Sequence, residues 1–238
     1  MKSLAVIVPV YNEASSIQNV LIKLSKIKIE IPYLKIVVVN DGSTDNTLEK
    51  IKEIPNTYQF LIDIPINSGK GGAVRQGLLA ADCDYIIIQD ADLEYNPEEI
   101  PRLWRLILQH DIDLLMTTRL NGGEFTRVHY FWHKVGNRFL TLLFNLLFNT
   151  TLTDIYSGYI IFRKSNLNVN LLKVMGWGQQ AEILAKLVSA GGKIYETPIT
   201  YHGRTYQDGK KIRATAMISV IVTILRFRLL TLKVFTKF

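Results

Sequence analysis

Residues 85–95 read YIIIQDADLEY, a short apolar run that leads directly into the acids Asp90, Asp92 and Glu94. Alternate side chains of a strand point the same way, so Asp90 and Asp92 are predicted to project together from the carboxyl end of a buried strand. Open α/β sheets bind their ligands at that edge. Two neighbouring carboxylates repel unless a cation lies between them, and a divalent ion with a diphosphate meets that need.

A plainer interpretation is an acidic turn that caps the next helix. Residues 96–99 read NPEE, which supplies Asn at the N-cap, Pro at the first helical position and Glu at the third. This cap begins after the acids and leaves Asp90 and Asp92 unexplained. The pattern therefore favours a metal site at a sheet edge.

Length and composition indicate one globular domain, with room for a small appendage. The chain has 238 residues, of which 48% are hydrophobic and 21% charged. The single Cys83 excludes an internal disulfide framework. The apolar start is interrupted by Pro9 and predicts a strand rather than a signal peptide. A net charge of +7 favours nucleic acid, an anionic membrane or a phosphorylated substrate as partner.

The first half alternates between apolar strands and helical patterns. Strands are predicted at 4–8, 35–39, 60–64, 85–88 and 114–117, and helices at 13–27, 45–54, 71–81 and 97–109. Continuous Val and Ile runs between helices predict a parallel sheet covered on both faces. The loops at 9–13, 40–45, 67–72 and 89–94 are then expected at one rim.

The second half has a different character. Basic and aromatic residues alternate at 127–134, a helix is predicted at 139–149, and a loop at 153–163. A helix at 181–190, a strand at 193–197 and a basic loop at 202–213 follow.

The tail at 214–238 carries no acid, and its uncharged run is too short to span a bilayer. On a helical wheel one narrow stripe contains Thr215, Ser219, Thr223, Arg226, Lys233 and Lys237, while Arg228 lies opposite. This pattern fits an amphipathic helix lying in a membrane interface, and equally a terminal helix docked on the core with its basic stripe in water.

Two further loops carry candidate binding residues. Asp41, after the second strand, suits a nucleobase or ribose, although Asp41 and Ser43 also fit a turn and an N-cap. Residues 67–72 read NSGKGG and precede a helix, so Lys70 and Arg75 are candidates for binding a phosphate.

Four cations have no acidic partner close in sequence. They are Arg119, Arg204, Lys210 and Lys211. Such residues commonly form a solvated face, but an anion near a membrane would also account for them.

Seven ordered motifs resemble one family. VIVPVYNE, VVVNDGSTDNT, NSGKGGAVRQG, IIIQDADLEYNPEEIP and TTR resemble family 2 glycosyltransferases of the GT-A fold. TDIYSGYIIFR and ETPITYHGRTYQDGKKI resemble the polyprenyl-phosphate branch, similar to dolichyl-phosphate mannose synthase. The resemblance implies an α/β, Rossmann-like and mostly parallel sheet in a catalytic domain at 1–213, with an amphipathic interfacial helix at 214–238.

The resemblance also implies roles for individual residues. The nucleotide sugar would be bound by Pro9, Tyr11, Glu13, Asp41, Lys70, Arg75, Asp90 and Ala91. Mg²⁺ or Mn²⁺ would be held by Asp90, Asp92 and Glu94. The acceptor phosphate would lie among Arg119, Arg138, Arg204, Lys210 and Lys211. The residues implied to be catalytic are Asp90, Asp92 and Arg119.

The implied reaction is an inverting transfer of a hexose from a GDP- or UDP-sugar to a polyprenyl phosphate, at the cytoplasmic face of a membrane. Relatives often read GFGFEPEI where this chain reads GWGQQAEI at 176–183, and the acid often found two positions after Asp154 is Tyr156 here. One alternative is a family 2 enzyme with a saccharide acceptor, for which Glu182 or Asp154 would serve as base. A non-enzymatic basic module for membrane or nucleic acid is the other, although no RNA-binding signature is present.

Overall fold

The computed structural model describes residues 2–120, 131–203 and 215–235. Seven strands in this part of the chain form one sheet. They are β1 (Leu4–Val10), β2 (Leu34–Asp41), β3 (Phe60–Ile64), β4 (Tyr85–Ile88), β5 (Leu114–Thr118), β6 (Ile160–Arg163) and β7 (Ile194–Pro198). Their order is β3-β2-β1-β4-β6-β5-β7, and every pair is parallel except those that involve β6. The predicted α/β class with a mostly parallel sheet is confirmed.

β6 is the element that the sequence interpretation lacks. The predicted loop at 153–163 is wrong in its last part, because Ile160–Arg163 pair antiparallel with both β4 and β5. A four-residue apolar run does not by itself distinguish a strand from other buried chain. Since β6 runs against its neighbours, the segment before it lies at the edge where β4 and β5 end.

Helices cover both faces of the sheet. The described helices are α1 (Ile17–Lys26), α2 (Thr47–Lys52), α3 (Lys70–Ala80), α4 (Ile100–His110), α5 (Phe131–Phe148), α6 (Gln179–Ala190) and α7 (Thr215–Phe235). Along β1, Leu4 and Val6 belong to a core that includes α1, α2 and α4, whereas Ala5 and Ile7 belong to a core that includes α3, α5, α6 and α7. Successive strand residues are thus buried on opposite faces, as the continuous Val and Ile runs predict.

Several predicted boundaries differ from the structure. α1 begins at Ile17 instead of residue 13, and the helix predicted at 139–149 begins eight residues earlier, at Phe131. Ser43 is not an N-cap: its Oγ accepts a hydrogen bond from the backbone N–H of Asn12, and α2 begins after Asn46. Asn96 does act as a cap, because its side chain accepts from the backbone N–H of Glu98 in a short 3₁₀ turn before α4.

The last helix packs against the body of the protein. Val220, Ile224 and Phe227 of α7 are buried, and α7 contacts α5 and α6. Thr223, predicted on an exposed polar stripe, is 5% exposed and donates its hydroxyl to the Ser219 carbonyl at 2.8 Å. The inner face of α7 is therefore docked on the core, as the second of the two interpretations of the tail predicts. Among the described residues, no helix has the length and hydropathy that crossing a membrane requires.

Candidate active site

A cavity of about 430 Å³ lies at the carboxyl ends of the parallel strands, a volume typical of small-molecule sites. It is lined by Pro9, Val10, Tyr11, Glu13, Asp41, Asn67, Gly69, Lys70, Ala73, Asp90, Ala91, Asp92, Glu94, Tyr95, Arg119, Tyr156, Gly158, Gly176, Trp177, Gln179, Gln180 and Tyr201. The structure thus brings together residues that the sequence places in eight separate segments.

The strand order arranges these residues along the sheet edge. Asp41 ends β2 and Tyr11 follows β1 at one end of the row, and Asp90 follows β4 near the middle. The segment before β6 comes next, then Arg119 after β5 and Tyr201 after β7. The cavity therefore has an acidic end on the β2 side and an arginine on the β5 side, with the Asp-x-Asp pair between them.

Asp90 and Asp92 both line the cavity, but their surroundings differ. The ammonium of Lys70 lies 2.6 Å from Oδ1 of Asp90. Oδ1 of Asp92 accepts a hydrogen bond from the backbone N–H of Glu94 at 3.1 Å, which holds the turn after β4. Both carboxylates line the cavity from the turn that follows β4, which ends at Ile88, so the pleat of the strand does not itself position them.

Glu94 does not form a compact metal cluster with these two acids. Its Oε2 accepts a hydrogen bond from the hydroxyl of Tyr201 at 2.8 Å. Burial and the adjacent Glu94 raise the pKa of Tyr201, so that the phenol keeps its proton at neutral pH. Within the described ranges, no three His, Cys, Asp or Glu side chains converge as a candidate metal centre. A role for Glu94 as a metal ligand stays a prediction.

The acidic end of the cavity is held by hydrogen bonds between loops. Oδ1 of Asp41 accepts from the backbone N–H of Ser68 at 2.8 Å and from its hydroxyl at 2.7 Å. The Nδ2 of Asn67 donates to the Asp41 carbonyl at 3.1 Å. The loop before α3 is therefore anchored to the end of β2, which brings Lys70 toward Asp90.

Glycines allow a second wall to approach this loop closely. The backbone N–H of Gly71 donates to the Met175 carbonyl at 2.7 Å, and a Cβ at Gly71 would lie 2.2 Å from the Val174 carbonyl oxygen. Gly69 has a φ of +82°, which non-glycine residues rarely adopt. The predicted phosphate loop is thus pressed against the segment that leads into α6. Arg75 of α3 does not line the cavity, and its place in the nucleotide site stays a prediction.

Arg119 has a buried partner that is distant in sequence. Its Nε and Nη2 donate to the two carboxylate oxygens of Asp154 at 2.7 and 2.9 Å. Asn137 of α5 also donates to Asp154, at 2.7 Å, and the Asp154 side chain is completely buried. Burial opposes the charge on Asp154, but Arg119 and these hydrogen bonds prevail and lower its pKa. The guanidinium is therefore held in one orientation, 5.2 Å from the centre of the Tyr201 ring.

The remaining predicted phosphate ligands are not brought to the cavity by the described chain. Arg138 is exposed on α5 and does not line the cavity, so its role toward the acceptor phosphate stays a prediction. Arg204, Lys210 and Lys211 lie outside the described residues. Arg119 is thus the predicted phosphate ligand that the structure brings to this wall.

Sequence reasoning missed several side chains of the far wall. Tyr156, Trp177, Gln179 and Tyr201 all line the cavity. The two late motifs contain Tyr156 and Tyr201, but nothing in the local pattern indicates that the segment before α6 faces the same space. Glu182, in the first turn of α6, is fully buried and accepts hydrogen bonds from the backbone N–H groups of Lys173 and Val174.

Known proteins resemble this chain in sequence. It is 29% identical over 206 residues to the low-salt glycan biosynthesis hexosyltransferase Agl6 of Haloferax volcanii, covering 85% of this chain and 48% of that protein. It is 26% identical to the undecaprenyl-phosphate mannosyltransferase of Micrococcus luteus, covering 86% and 85%. It is 28% identical to the dolichol-phosphate mannosyltransferase of Pyrococcus furiosus, covering 87% and 58%. The chain thus spans about half the length of the first and third of these relatives.

The fold is similar to that of a solved enzyme, the glucosyl-3-phosphoglycerate synthase of Mycobacterium tuberculosis in complex with Mn²⁺, UDP and phosphoglyceric acid. The TM-score is 0.72 at 20% identity, covering 95% of this chain and 78% of the other. A family model described as glycosyl transferase family 2 matches residues 5–169, more than half of the chain. The family match, the similarity of fold and the Asp-x-Asp sequence after β4 all agree with one another. The chain belongs to glycosyltransferase family 2.

Proposed function

We propose that the protein transfers a hexose from a GDP- or UDP-sugar to a polyprenyl phosphate, with inversion and with the help of a divalent cation. The relatives named undecaprenyl-phosphate and dolichol-phosphate mannosyltransferase support the acceptor class. Their similarity extends over 86% and 87% of this chain, which includes the cavity wall built by Arg119 and Asp154. The contacts of these two residues are the observation that carries the proposal.

The donor would occupy the β2 side of the cavity. Pro9, Tyr11, Glu13 and Asp41 would contact the nucleoside, and Lys70 would lie beside the diphosphate. Asp90 and Asp92 fit Mg²⁺ or Mn²⁺, because sites for such ions commonly use one or two carboxylates together with substrate phosphates. A bound ion would act as a Lewis acid on the leaving diphosphate. Lys70, within 2.6 Å of Asp90, would add positive charge at the same place.

Neither of the two bases suggested for a saccharide acceptor lines the cavity. Asp154, the first candidate base, is completely buried with both oxygens bonded to Arg119. The second candidate, Glu182, is fully buried and does not line the cavity. A hydroxyl acceptor must lose a proton during transfer, whereas a lipid phosphate is already an anion at pH 7.

Arg119 would orient that anionic acceptor. Because Asp154 binds one edge of the guanidinium, the group is pre-organised, and little conformational entropy is lost when the acceptor binds. Direct attack of the phosphate oxygen on the anomeric carbon would form the new C–O bond as the bond to the nucleoside diphosphate breaks. A single displacement of this kind inverts the anomeric centre.

The test is a transfer assay with radiolabelled GDP- and UDP-sugars, scoring product that partitions into the organic phase with added polyprenyl phosphate. We expect metal-dependent product from the wild type and a loss of at least ~100-fold in Asp92→Asn. Asp82→Asn, at a fully exposed position outside the cavity, is the matched control and should retain activity. Product on a soluble saccharide with none on lipid would support the alternative acceptor instead.

We further propose that the protein works on an anionic membrane, through one face of α5 and α7. These adjacent helices expose large apolar side chains: Phe131, Trp132, Phe139, Leu142 and Leu146 on α5, and Ile218, Val222, Leu225 and Leu229 on α7. Neither helix contains an acid, and Lys134, Arg138 and Arg226 are exposed on them. Apolar side chains beside cations suit the headgroup region of an anionic bilayer. The sugar-nucleotide donor would then bind from the cytoplasmic side of this membrane. The boundary predicted at residue 213, between a catalytic domain and a tail helix, stays a prediction.

Vesicle flotation distinguishes membrane binding through this face from non-specific hydrophobic adsorption. Full-length protein should float with vesicles that contain anionic lipid, and less so at 0.5 M salt, about three times the physiological ionic strength. Trp132→Ser combined with Leu229→Ser should reduce flotation strongly. The control pair Ile29→Ser and Leu108→Ser removes exposed apolar side chains elsewhere and should have no effect. Equal flotation by both pairs would contradict the proposal.

A further inference from the structure

Gln179 is a buried side chain at the cavity whose amide nitrogen has no partner. Its side chain is 3% exposed, and its Nε2 makes no hydrogen bond in the part of the chain that the structure describes. Leaving a buried donor unpaired costs about 1–3 kcal/mol, so such groups are uncommon and call for an explanation. Because Gln179 lines the cavity, a ligand there is the natural partner.

The neighbouring glutamine is used differently. The Nε2 of Gln180 donates to the carbonyls of Ile155 and Ser157 at 3.0 and 2.7 Å. It thereby fixes the segment before β6, and a glutamate at this position could not donate these two bonds. Of the two glutamines at the start of α6, only Gln179 has an amide nitrogen to offer a ligand.

The N-terminus of α6 also favours a hydrogen-bond acceptor at this place. Gln179 is the first residue of α6, and the cap residue Gly178 supplies no side-chain hydrogen bond to the first turn. The backbone N–H of Gln179 donates to the Gly176 carbonyl at 3.1 Å, and the carboxylate of Glu182 accepts from Lys173 and Val174, not from the first turn of α6. The helix terminus and the Gln179 amide together favour a hydrogen-bond acceptor.

The position of this wall indicates which part of the donor it meets. The segment before α6 is bonded to the loop of Lys70 through Gly71 and Met175, and Lys70 pairs with Asp90. Gln179, which follows that segment, therefore belongs to the wall beside the proposed diphosphate site. In a sugar nucleotide, the group that follows the diphosphate is the sugar.

We propose that Gln179 donates a hydrogen bond from its amide to an oxygen of the transferred sugar, and so helps to select that sugar. The terminal torsion of a glutamine side chain is broad, so a small rotation presents the N–H₂ to the cavity. This inference rests on the proposed function, because it takes the cavity to bind a sugar nucleotide. Its test separates the sugar from the rest of the donor.

The experiment compares Gln179→Met with wild type in calorimetric binding of GDP, UDP, GDP-mannose, UDP-glucose and UDP-N-acetylglucosamine, each with Mg²⁺. We expect the variant to bind the preferred sugar nucleotide about five- to tenfold more weakly, the usual effect of one lost hydrogen bond, and the matching nucleoside diphosphate unchanged. Gln18→Met, the same substitution on α1 outside the cavity, should change neither affinity. Deoxy analogues of the donor then identify the oxygen, since the correct one shows no further loss in Gln179→Met.

A second readout guards against a merely structural role. Replacing an unpaired buried amide by an apolar side chain of similar shape is neutral or stabilising, so the melting temperature of Gln179→Met should not fall. A fall in melting temperature, equal weakening of sugar nucleotide and nucleoside diphosphate, or no weakening of either would overturn the inference. Failure of wild type to bind any nucleotide would instead contradict the proposed function.

Discussion

At the scale of single residues, the pair of Arg119 and Asp154 is the most constrained feature of the site. The carboxylate is completely buried, and it holds a guanidinium that faces the cavity. Removing one partner of a buried ion pair leaves the other charge without compensation, which costs far more than the pair contributes. Both stability and activity are therefore expected to depend on Asp154.

Asp154→Asn should lower the free energy of unfolding by about 3 kcal/mol, because Arg119 remains charged and half of its bidentate contact is lost. Urea denaturation measures this change. The comparison variant, Asp111→Asn, removes a carboxylate from an exposed cluster with Lys2 and Arg163 and should cost much less. Equal costs for the two variants would contradict the buried-pair account.

Lys70→Met tests the loop before α3. Its ammonium lies 2.6 Å from Asp90, so its removal should weaken binding of a nucleoside diphosphate by about tenfold while the fold is kept. Lys35→Met, at an exposed pair with Asp82, is the control. Binding that is unchanged in Lys70→Met would exclude this residue from the diphosphate site.

The residues named from sequence are those with a local signature. Asp90 and Asp92 stand out because a buried strand ends in two acids, and Lys70 because glycines flank it. Asp154 and Gln179 carry no such signature, since their roles depend on contacts across long stretches of chain. Arg75 and Arg138 were also named from sequence, but neither lines the cavity, and their roles stay predictions.

At the scale of elements, the contact between α6 and α7 is set by one glycine. A Cβ at Gly178 would lie 2.5 Å from Oγ1 of Thr223, so α7 can approach the start of α6 only because no side chain intervenes. The exposed apolar face of α7 is thereby attached to the wall that contains Gln179.

Gly178→Ala should loosen α7 by forcing Thr223 away from α6. Hydrogen exchange should show faster exchange of the α7 amides, with those of β1 unchanged. The double variant Gly178→Ala and Thr223→Ala removes the clashing oxygen and should recover most of the protection. Persistence of fast exchange in the double variant would mean that another contact is responsible.

The alternation of strands and helices was predictable because each parallel strand is a continuous apolar run between amphipathic helices. β6 was not, because Ile160–Arg163 is too short a run to distinguish a strand from other buried chain. The sequence of α7 allowed a docked or an exposed helix, and the choice depends on close packing at Gly178, which composition does not encode.

At the scale of the whole molecule, carboxylates with lowered pKa values make stability depend on pH. Hydrogen bonds from Lys2 and Arg163 lower the pKa of Asp111 to about 2. The backbone N–H of Lys193 and the side chain of Arg163 lower that of Asp113. A carboxyl whose pKa is lower in the folded state stabilises the protein above its unfolded pKa, about 3.9, and this contribution disappears as pH falls through the folded value.

The free energy of unfolding should therefore be nearly constant from about pH 7 to 5 and fall between about pH 4 and 2. Urea titrations at half-unit pH intervals measure it. Asp113→Asn should flatten the fall in proportion to its share, and a stability that rises on acidification would contradict the assignment.

The antiparallel strand β6 also has a consequence for how the chain assembles. β1 to β4 pair among themselves within the first 88 residues, whereas β5 and β7 reach them only through β6. Pairings between nearby segments form sooner than those that must close long loops. On a ribosome, the half that holds Asp41 and Asp90 would thus be complete while the half with Arg119 still awaits residues 154–163. The half that is proposed to bind the donor is then expected to form first in each new molecule.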